Sequence, residues 1–94
     1  MKIVSIRDKR LRRYFYFREV AGLQPDVVRK LKPMLSFLQL MSDEDELSRL
    51  PQWKPHKLTG DLAGCWSLSV TRNWPLIFEV HKDEIRNLDL IDYH

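Results

Sequence analysis

The first residues of the chain carry the pattern of a short strand followed by a helix. Residues 2–6 alternate apolar and polar side chains and are rich in β-branched residues, which predicts a strand. Residues 9–19 then place leucine and aromatic side chains at helical spacing behind Asp8, whose carboxylate can cap a helix N-terminus. Gly22 interrupts this periodicity, so we expect the first helix to end before it.

A longer apolar stripe at helical spacing predicts a second helix over residues 25–41. Pro25 suits the first position of that helix, where a backbone N–H would have no partner, and Asp26 favours the positive end of the helix dipole. Pro33 falls inside the stripe, and we expect it to kink the helix without ending it. The stripe consists of Val27, Val28, Leu31, Met34, Leu35, Leu38 and Met41.

The C-terminal half carries the pattern of a strand meander. Residues 42–52 are polar and predict a loop or a short turn of helix. Strands are then predicted over residues 53–58, 65–70, 74–80 and 85–91, separated by turn-forming residues. A strand, two helices and a meander predict an α+β domain, in which the N-terminal strand and both helices pack on a mostly antiparallel sheet.

The length of 94 residues predicts a single domain spanning residues 1–94, with a small core that a bound partner would stabilise. Cys65 is the one cysteine, which excludes an intrachain disulfide and fits a reducing cytoplasm. We expect Cys65 to be a small buried hydrophobe, and we expect no metal site and no cofactor. No secretory signal and no apolar run near the ~20 residues of a membrane span are visible. These features predict a cytoplasmic protein without membrane contacts.

Positive charge is concentrated in the N-terminal third. The net charge is +3, yet residues 1–32 hold ten Lys or Arg against three acids, which leaves +7 there and −4 in the remainder. Residues 43–46 are all acidic. A basic N-terminal segment of this kind suits binding to RNA or to an acidic protein partner. Taken alone, the charge fits a solvated helix face equally well.

Three motifs in the C-terminal half occur in a characteristic order. Residues 54–70 read KPHKLTGDLAGCWSLSV, Asn73-Trp74 precedes an apolar strand, and the chain ends in Asp92-Tyr93-His94. Together these motifs resemble the HigB group of the RelE/ParE toxin superfamily, the toxins of bacterial type II toxin–antitoxin systems. The resemblance covers essentially the whole chain, because the N-terminal half has the matching strand, basic first helix and second helix.

This resemblance implies a fold and an activity. The implied fold is the small RelE-like domain, which is similar to microbial ribonucleases. The implied toxin binds in the ribosomal A site and cleaves messenger RNA. The implied partners are the ribosome, mRNA and a cognate antitoxin, here expected to be a helix-turn-helix protein, and such a pair commonly represses its own operon.

RNA cleavage without a metal needs a base for the ribose 2′-OH, a cation for the phosphate charge and an acid for the leaving 5′-oxygen. The resemblance assigns this work to His56, Asp92, Tyr93 and His94. His56 and His94 would exchange protons, because imidazole titrates near neutrality. Asp92 would orient a histidine or act as the base, and Tyr93 would stack on a nucleobase or donate a proton. Taken alone, His56 also fits an ordinary strand surface residue, and Tyr93 also fits packing.

Cations near these residues are the expected ligands of RNA phosphates, and they are Lys54, Lys57 and Arg72. Two positions depart from the family pattern. The family usually has an arginine directly after Asn-Trp as its phosphate clamp, and this chain has Pro75 there. The family often has a lysine directly before Gly-Asp, and this chain has Thr59.

The proline is the more serious departure, because it supplies neither a charge nor a backbone donor. Removing one preorganised donor to a developing oxyanion typically costs ~10²–10³ in rate. We therefore expect Pro75 to weaken catalysis. Glu79 is a further departure, at a less fixed position that usually carries a neutral or basic residue.

Three functions remain open from the sequence. The first is a ribosome-dependent mRNA endoribonuclease, weakened by Pro75. The second is a catalytically dead family member that acts through antitoxin binding and operon control. The third is a ParE-like poison of DNA gyrase, which shares the fold and needs no RNA-cleaving residues. His56 and the Asp92-Tyr93-His94 end favour RNA cleavage over gyrase poisoning.

Overall fold

A computed structural model describes residues 1–92 of the chain, so the predicted site residues Tyr93 and His94 lie outside the described part. Within residues 1–92 the chain forms, in order, β1 (Lys2–Ile3), α1 (Lys9–Phe17), α2 (Pro25–Leu40), β2 (His56–Lys57), β3 (Trp66–Thr71), β4 (Trp74–His81) and β5 (Glu84–Leu90). Short 3-10 segments at Glu44–Arg49, Pro51–Trp53 and Gly60–Leu62 flank β2. The predicted order of one strand, two helices and a meander is confirmed.

The sheet is mixed, with one parallel pair. Its strands lie in the order β1, β5, β4, β3, β2. β1 runs parallel to β5, with Lys2 opposite Glu84 and Ile3 opposite Ile85, and the other neighbours are antiparallel. The two ends of the described chain therefore meet in one sheet, and the predicted α+β class with a mostly antiparallel sheet is confirmed.

One face of the sheet packs against the helices. Leu68, Leu76 and Phe78 on that face are fully buried, and they belong to one cluster with the apolar stripe of α2. Ser67 and Ile77 are also buried, but they lie outside this cluster. Because successive strand residues point to opposite faces, these two residues lie on the face that the helices leave uncovered.

The second helix runs without interruption through Pro33, from Pro25 to Leu40. The prediction that Pro33 does not end the helix is confirmed. Asp26 lies in the first turn, and its carboxylate accepts a hydrogen bond from the Val27 amide at 3.0 Å, in agreement with its predicted place at the positive end of the dipole. Among residues 1–92, no helix is long and apolar enough to cross a membrane.

The first helix is shorter than predicted. Its N-terminus is capped by Asp8, whose carboxylate accepts a hydrogen bond from the Leu11 amide at 2.9 Å. The helix ends at Phe17 because Arg18 adopts a left-handed conformation, with φ of 59°. Gly22 also has a positive φ of 80°, and a Cβ there would come within 2.9 Å of the Arg10 side chain. This backbone conformation favours glycine at the turn.

The strand predicted over residues 53–58 is wrong in its first part. Pro51–Trp53 forms a 3-10 turn, and Lys54 then reverses the chain with a left-handed φ of 48°. Proline cannot donate to a strand ladder, and Pro55 leaves only His56–Lys57 to pair with β3. The residues of β3 that follow Ser67 therefore have no β2 partner, and the outer edge of β3 is uncovered there.

The acidic segment at residues 43–46 forms a local helix cap. Asp43 accepts a hydrogen bond from the Asp45 amide at 2.8 Å, and Glu46 accepts bonds from the amides of Ser42 and Asp43, each at 2.9 Å. This capping box starts the 3-10 segment Glu44–Arg49. At least two of the four carboxylates therefore satisfy backbone donors of their own segment.

Replacing Asp8 with alanine should lower the free energy of unfolding by about 1 kcal/mol near neutral pH, because α1 loses its cap. Burial alone would raise the pKa of Asp8, but hydrogen bonds from Arg10 and the Leu11 amide outweigh burial and lower the pKa below 3.8. The contribution of the ionised carboxylate is thus present above pH 3.8 and is lost as the pH falls through the lower folded-state pKa.

Urea denaturation of both proteins at pH 7 and in acid measures this effect. The two stabilities should converge in acid, and Asp8→Asn, which keeps a capping side chain, should lose less at pH 7. An undiminished difference in acid would show that the carboxylate charge contributes nothing.

Candidate functional site

A groove of about 650 Å³ runs along β3, beside the stretch that β2 leaves uncovered. Side chains from α2, the loop before β2, β2 itself, β3 and the start of β4 line it. Its lining residues are Lys30, Gln52, Lys54, His56, Ser67, Ser69, Val70, Thr71, Arg72 and Pro75. The groove thus unites four of the residues singled out in the sequence, which are Lys54, His56, Arg72 and Pro75.

The strand register carries His56 into the groove. His56 pairs with Ser67 across β2 and β3, and Ser69 pairs with Pro75 across β3 and β4. Directly opposed residues of antiparallel strands share a face. His56 therefore lies on the face of the sheet that the helices leave uncovered.

A hydrogen bond to the backbone orients the His56 ring. Its Nδ1 atom lies 3.0 Å from the carbonyl oxygen of Lys54. A carbonyl can only accept, so the bond requires a proton on Nδ1, and in a neutral ring the basic nitrogen is then Nε2. The side chain is exposed, so Nε2 is accessible to a ligand in the groove.

Three cations line the groove together with this histidine, and among residues 1–92 no carboxylate lines it. They are Lys30, Lys54 and Arg72, and all three are exposed. Within residues 1–92, the ion pairs are made by other side chains, so none of these three cations is paired there. Unpaired cations beside an imidazole suit a polyanion such as RNA.

Lys57 and Thr59 do not line the groove. Lys57 lies opposite Trp66, on the other face of β2 from His56, and its Nζ lies 3.4 Å from the Glu44 carboxylate and 5.4 Å from the centre of the Trp66 ring. Thr59 is exposed ahead of the 3-10 segment Gly60–Leu62. The structure therefore separates these two predicted positions from His56.

Pro75 lies in an interior strand, where proline is rare. It is the second residue of β4, it is buried, and it faces Ser69 at the point where the register of β3 shifts. The shift leaves Val70 as an extra residue, and the Ser69 hydroxyl donates to the Thr71 carbonyl at 3.0 Å across it. A bulge disrupts the ladder locally, which explains why a residue without an N–H is tolerated here.

The described end of the chain leaves the sheet next to Pro75. The amide of Ile91 donates to the Pro75 carbonyl at 3.2 Å. Asp92 follows, exposed, and is not among the lining residues of the groove. The predicted residues Tyr93 and His94 lie beyond the described part.

A second hollow of about 200 Å³ lies on the same face of the sheet and has acidic walls, including Asp61, Glu79 and Asp89. Cys65 also lines it and is only partly buried, so the prediction that Cys65 is a small buried hydrophobe is wrong. Partial burial is the larger cause that raises the pKa of the Cys65 thiol, and the negative charge of Glu79 raises this pKa further.

Within residues 1–92, no group of His, Cys, Asp or Glu side chains could hold a metal ion.

Sequence reasoning missed Lys30 and Gln52 as groove residues. Lys30 comes from α2, which precedes the sheet motifs in the chain, and Gln52 belongs to the 3-10 turn that replaces the predicted strand. The one available signal was the position of Lys30 at the border of the apolar stripe of α2. The sequence did not show which strand would lie next to this border of α2.

The family model that matches this chain describes the HigB-like toxins, RelE-like toxins of type II toxin–antitoxin systems, and the match spans residues 4–94. The chain belongs to the HigB-like toxin family. Endoribonuclease HigB of Proteus vulgaris is 29% identical over 92 residues, which are 98% of this chain and 99% of that protein. The resemblance carried by the C-terminal motifs is confirmed.

Solved structures share the fold of this HigB-like toxin. One is the YoeB–YefM toxin–antitoxin complex of Staphylococcus aureus, with a TM-score of 0.60, 21% identity and coverage of 100% of this chain and 99% of that one. Another is the YoeB/ParE toxin of Agrobacterium tumefaciens, with a TM-score of 0.54, 21% identity and the same coverage. The expected RelE-like fold is confirmed.

The separation of Arg72 from Lys57 predicts different roles in RNA binding. Arg72→Ala should reduce the slope of log Kd against log salt concentration by about 0.7, the value for one lost phosphate contact with a single strand. Lys57→Ala should leave the slope unchanged, because Glu44 already neutralises Lys57 outside the groove. Fluorescence anisotropy with a labelled single-stranded RNA measures both slopes, and equal slopes for the two variants would contradict this assignment.

Proposed function

We propose that this HigB-like toxin is an endoribonuclease that cuts messenger RNA on the ribosome. The observation that carries the proposal is the position of His56, whose Nδ1 bonds to the Lys54 carbonyl while the ring stands in a groove with unpaired cations. This arrangement offers a base and a phosphate-binding surface together, which RNA cleavage requires.

In the proposed reaction, Nε2 of His56 takes the proton of a ribose 2′-OH. The 2′-oxygen then forms a bond to the adjacent phosphorus, and the bond from phosphorus to the 5′-oxygen breaks. Lys54 and Arg72 stabilise the negative charge that grows on the phosphate oxygens. The leaving 5′-oxygen takes a proton from an acid, for which the family resemblance offers Asp92, Tyr93 and His94.

The proposed substrate is positioned by the ribosome. The described part of the groove contains one imidazole and no carboxylate, so residues 1–92 supply little to align the ribose with the phosphorus. Alignment contributes a large share of the rate in such reactions, and a ribosome holds mRNA in a set geometry. As part of this proposal we place the toxin in the cytoplasm, where it meets ribosomes.

The proposed protein partner is a cognate antitoxin. One structure with the same fold is that of a toxin–antitoxin complex, and the family is defined by type II toxin–antitoxin systems. We further propose that the antitoxin is a helix-turn-helix protein, which would allow the pair to repress its own operon.

A second candidate function is that of a catalytically dead toxin that acts only through antitoxin binding. Pro75 favours it, because this residue lines the groove at the position where the family usually carries an arginine. Proline supplies neither the charge nor the donors of a guanidinium. The unpaired cations around His56 favour a working, though weakened, enzyme.

The histidine at position 56 should be required for cleavage. In a translation reaction followed by primer extension, the natural chain should produce cuts in the mRNA, and His56→Ala should remove them. His81→Ala is the matched control, because His81 is exposed at the end of β4 and does not line the groove. Cuts that persist in the His56 variant would exclude this histidine as the base, and a natural chain that makes no cuts would favour the dead toxin.

Restoring the family arginine should strengthen the enzyme. Pro75→Arg should raise mRNA cleavage by at least ~10²-fold, the low end for regaining one transition-state donor. The arginine fork can bind two phosphate oxygens as charge develops. Growth arrest after induction without antitoxin compares the two proteins, and Pro75→Lys tests the need for the fork. Equal arrest by the natural chain and the arginine variant would mean that position 75 does not contact the phosphate.

A further inference from the structure

Lys30 reaches the groove from outside the sheet. The buried stripe of α2 includes Val27, Leu31 and Met34. With about 100° between successive helical residues, Lys30 lies on one border of this stripe and Lys32 on the opposite border. Lys30 accordingly lines the groove beside His56, whereas Lys32 lines a separate hollow with Phe15.

Lys30 also lies where two hollows meet. A further hollow of about 270 Å³ continues from the groove between α2 and the 3-10 turn at Pro51–Trp53. The groove and this hollow share Lys30, Gln52, Ser69 and Val70, and neither has an acidic lining residue among residues 1–92. A phosphate joins two successive nucleotides, so a cation between two adjoining hollows is placed to bind that linking phosphate.

The groove lacks a cation at another point of its wall. The family resemblance implies an arginine at position 75 in most relatives, whereas here Pro75 lines the groove and leaves that part of its wall without charge. Lys57 does not compensate, because it is paired with Glu44 away from the groove. Lys30 is exposed and unpaired among residues 1–92, so its ammonium can move to a phosphate without breaking an ion pair.

We propose that Lys30 binds a phosphate of the RNA substrate in this groove, in place of the arginine that Pro75 has replaced. The inference rests on the proposed function in one respect only, namely that the ligand of the groove is RNA. Lys30 joins Arg72 and Lys54 around the phosphate, and the strand leaves the site past Lys30 towards α2.

The test measures binding of a labelled single-stranded RNA by anisotropy over a range of salt concentrations. Lys30→Ala should reduce the slope of log Kd against log salt concentration by about 0.7. Lys32→Ala is the matched control, since it removes the same charge from the same helix on the opposite border and should leave the slope unchanged. Lys30→Arg should keep the slope. Equal slopes for Lys30→Ala and Lys32→Ala would overturn the proposal.

A cleavage assay tests whether Lys30 replaces the arginine that is missing at position 75. Lys30→Ala should lower mRNA cutting by about tenfold or more, the range for a charge-assisted hydrogen bond. In the Pro75→Arg protein the same change should cost much less, because the arginine already supplies the cation, and a double-mutant cycle gives the difference. An equal loss in both backgrounds would mean that Lys30 does not replace the arginine.

The two proposals fail in different ways. A natural chain that binds RNA but does not cut mRNA would refute the proposed enzyme, and the salt slopes would still decide the contact of Lys30. A natural chain that cuts mRNA in the translation reaction but shows no salt-dependent RNA binding would refute the contact of Lys30 and leave the proposed enzyme standing. Unchanged thermal unfolding of Lys30→Ala, expected for an exposed side chain, confirms that any loss comes from binding.

Discussion

The packing of α2 against β3 is the constraint on which the rest of the structure depends. Leu31, Met34 and Leu38 of the helix and Leu68 and Phe78 of the sheet are almost completely excluded from solvent. Burial of these side chains removes apolar area from water, the dominant favourable term in folding. It also determines which face of each strand points inwards, and the alternate residues then form the uncovered face that bears the groove.

The shape of the groove depends on two local irregularities beside that core. The left-handed Lys54 and the neighbouring prolines shorten β2, which leaves the outer edge of β3 uncovered. The register shift after Ser69 accommodates Pro75 in an interior strand. A regular sheet with a longer β2 would cover this edge, and the cations of the loop and of α2 would then be kept apart from His56.

Charge on this small protein is divided between surfaces. Among residues 1–92, the groove gathers cations without acids, whereas the second hollow has acidic side chains in its walls, including Asp61 and Glu79. The acidic segment before β2 is used for capping and for the ion pair of Glu44 with Lys57. RNA is repelled by carboxylates and attracted by unpaired cations, so this division favours the groove over the second hollow as the place for the proposed RNA substrate.

The sequence alone determined the two helices, the order of the elements along the chain, the family and four residues of the groove, which are Lys54, His56, Arg72 and Pro75. Periodicity and turn residues are local signals, and they reveal elements wherever a buried face repeats regularly. The tertiary structure decided that Lys30 joins the groove and that Lys57 leaves it. It also placed Cys65 beside Glu79. Such placements depend on which helix border meets which strand edge, and that geometry arises only when distant segments pack together.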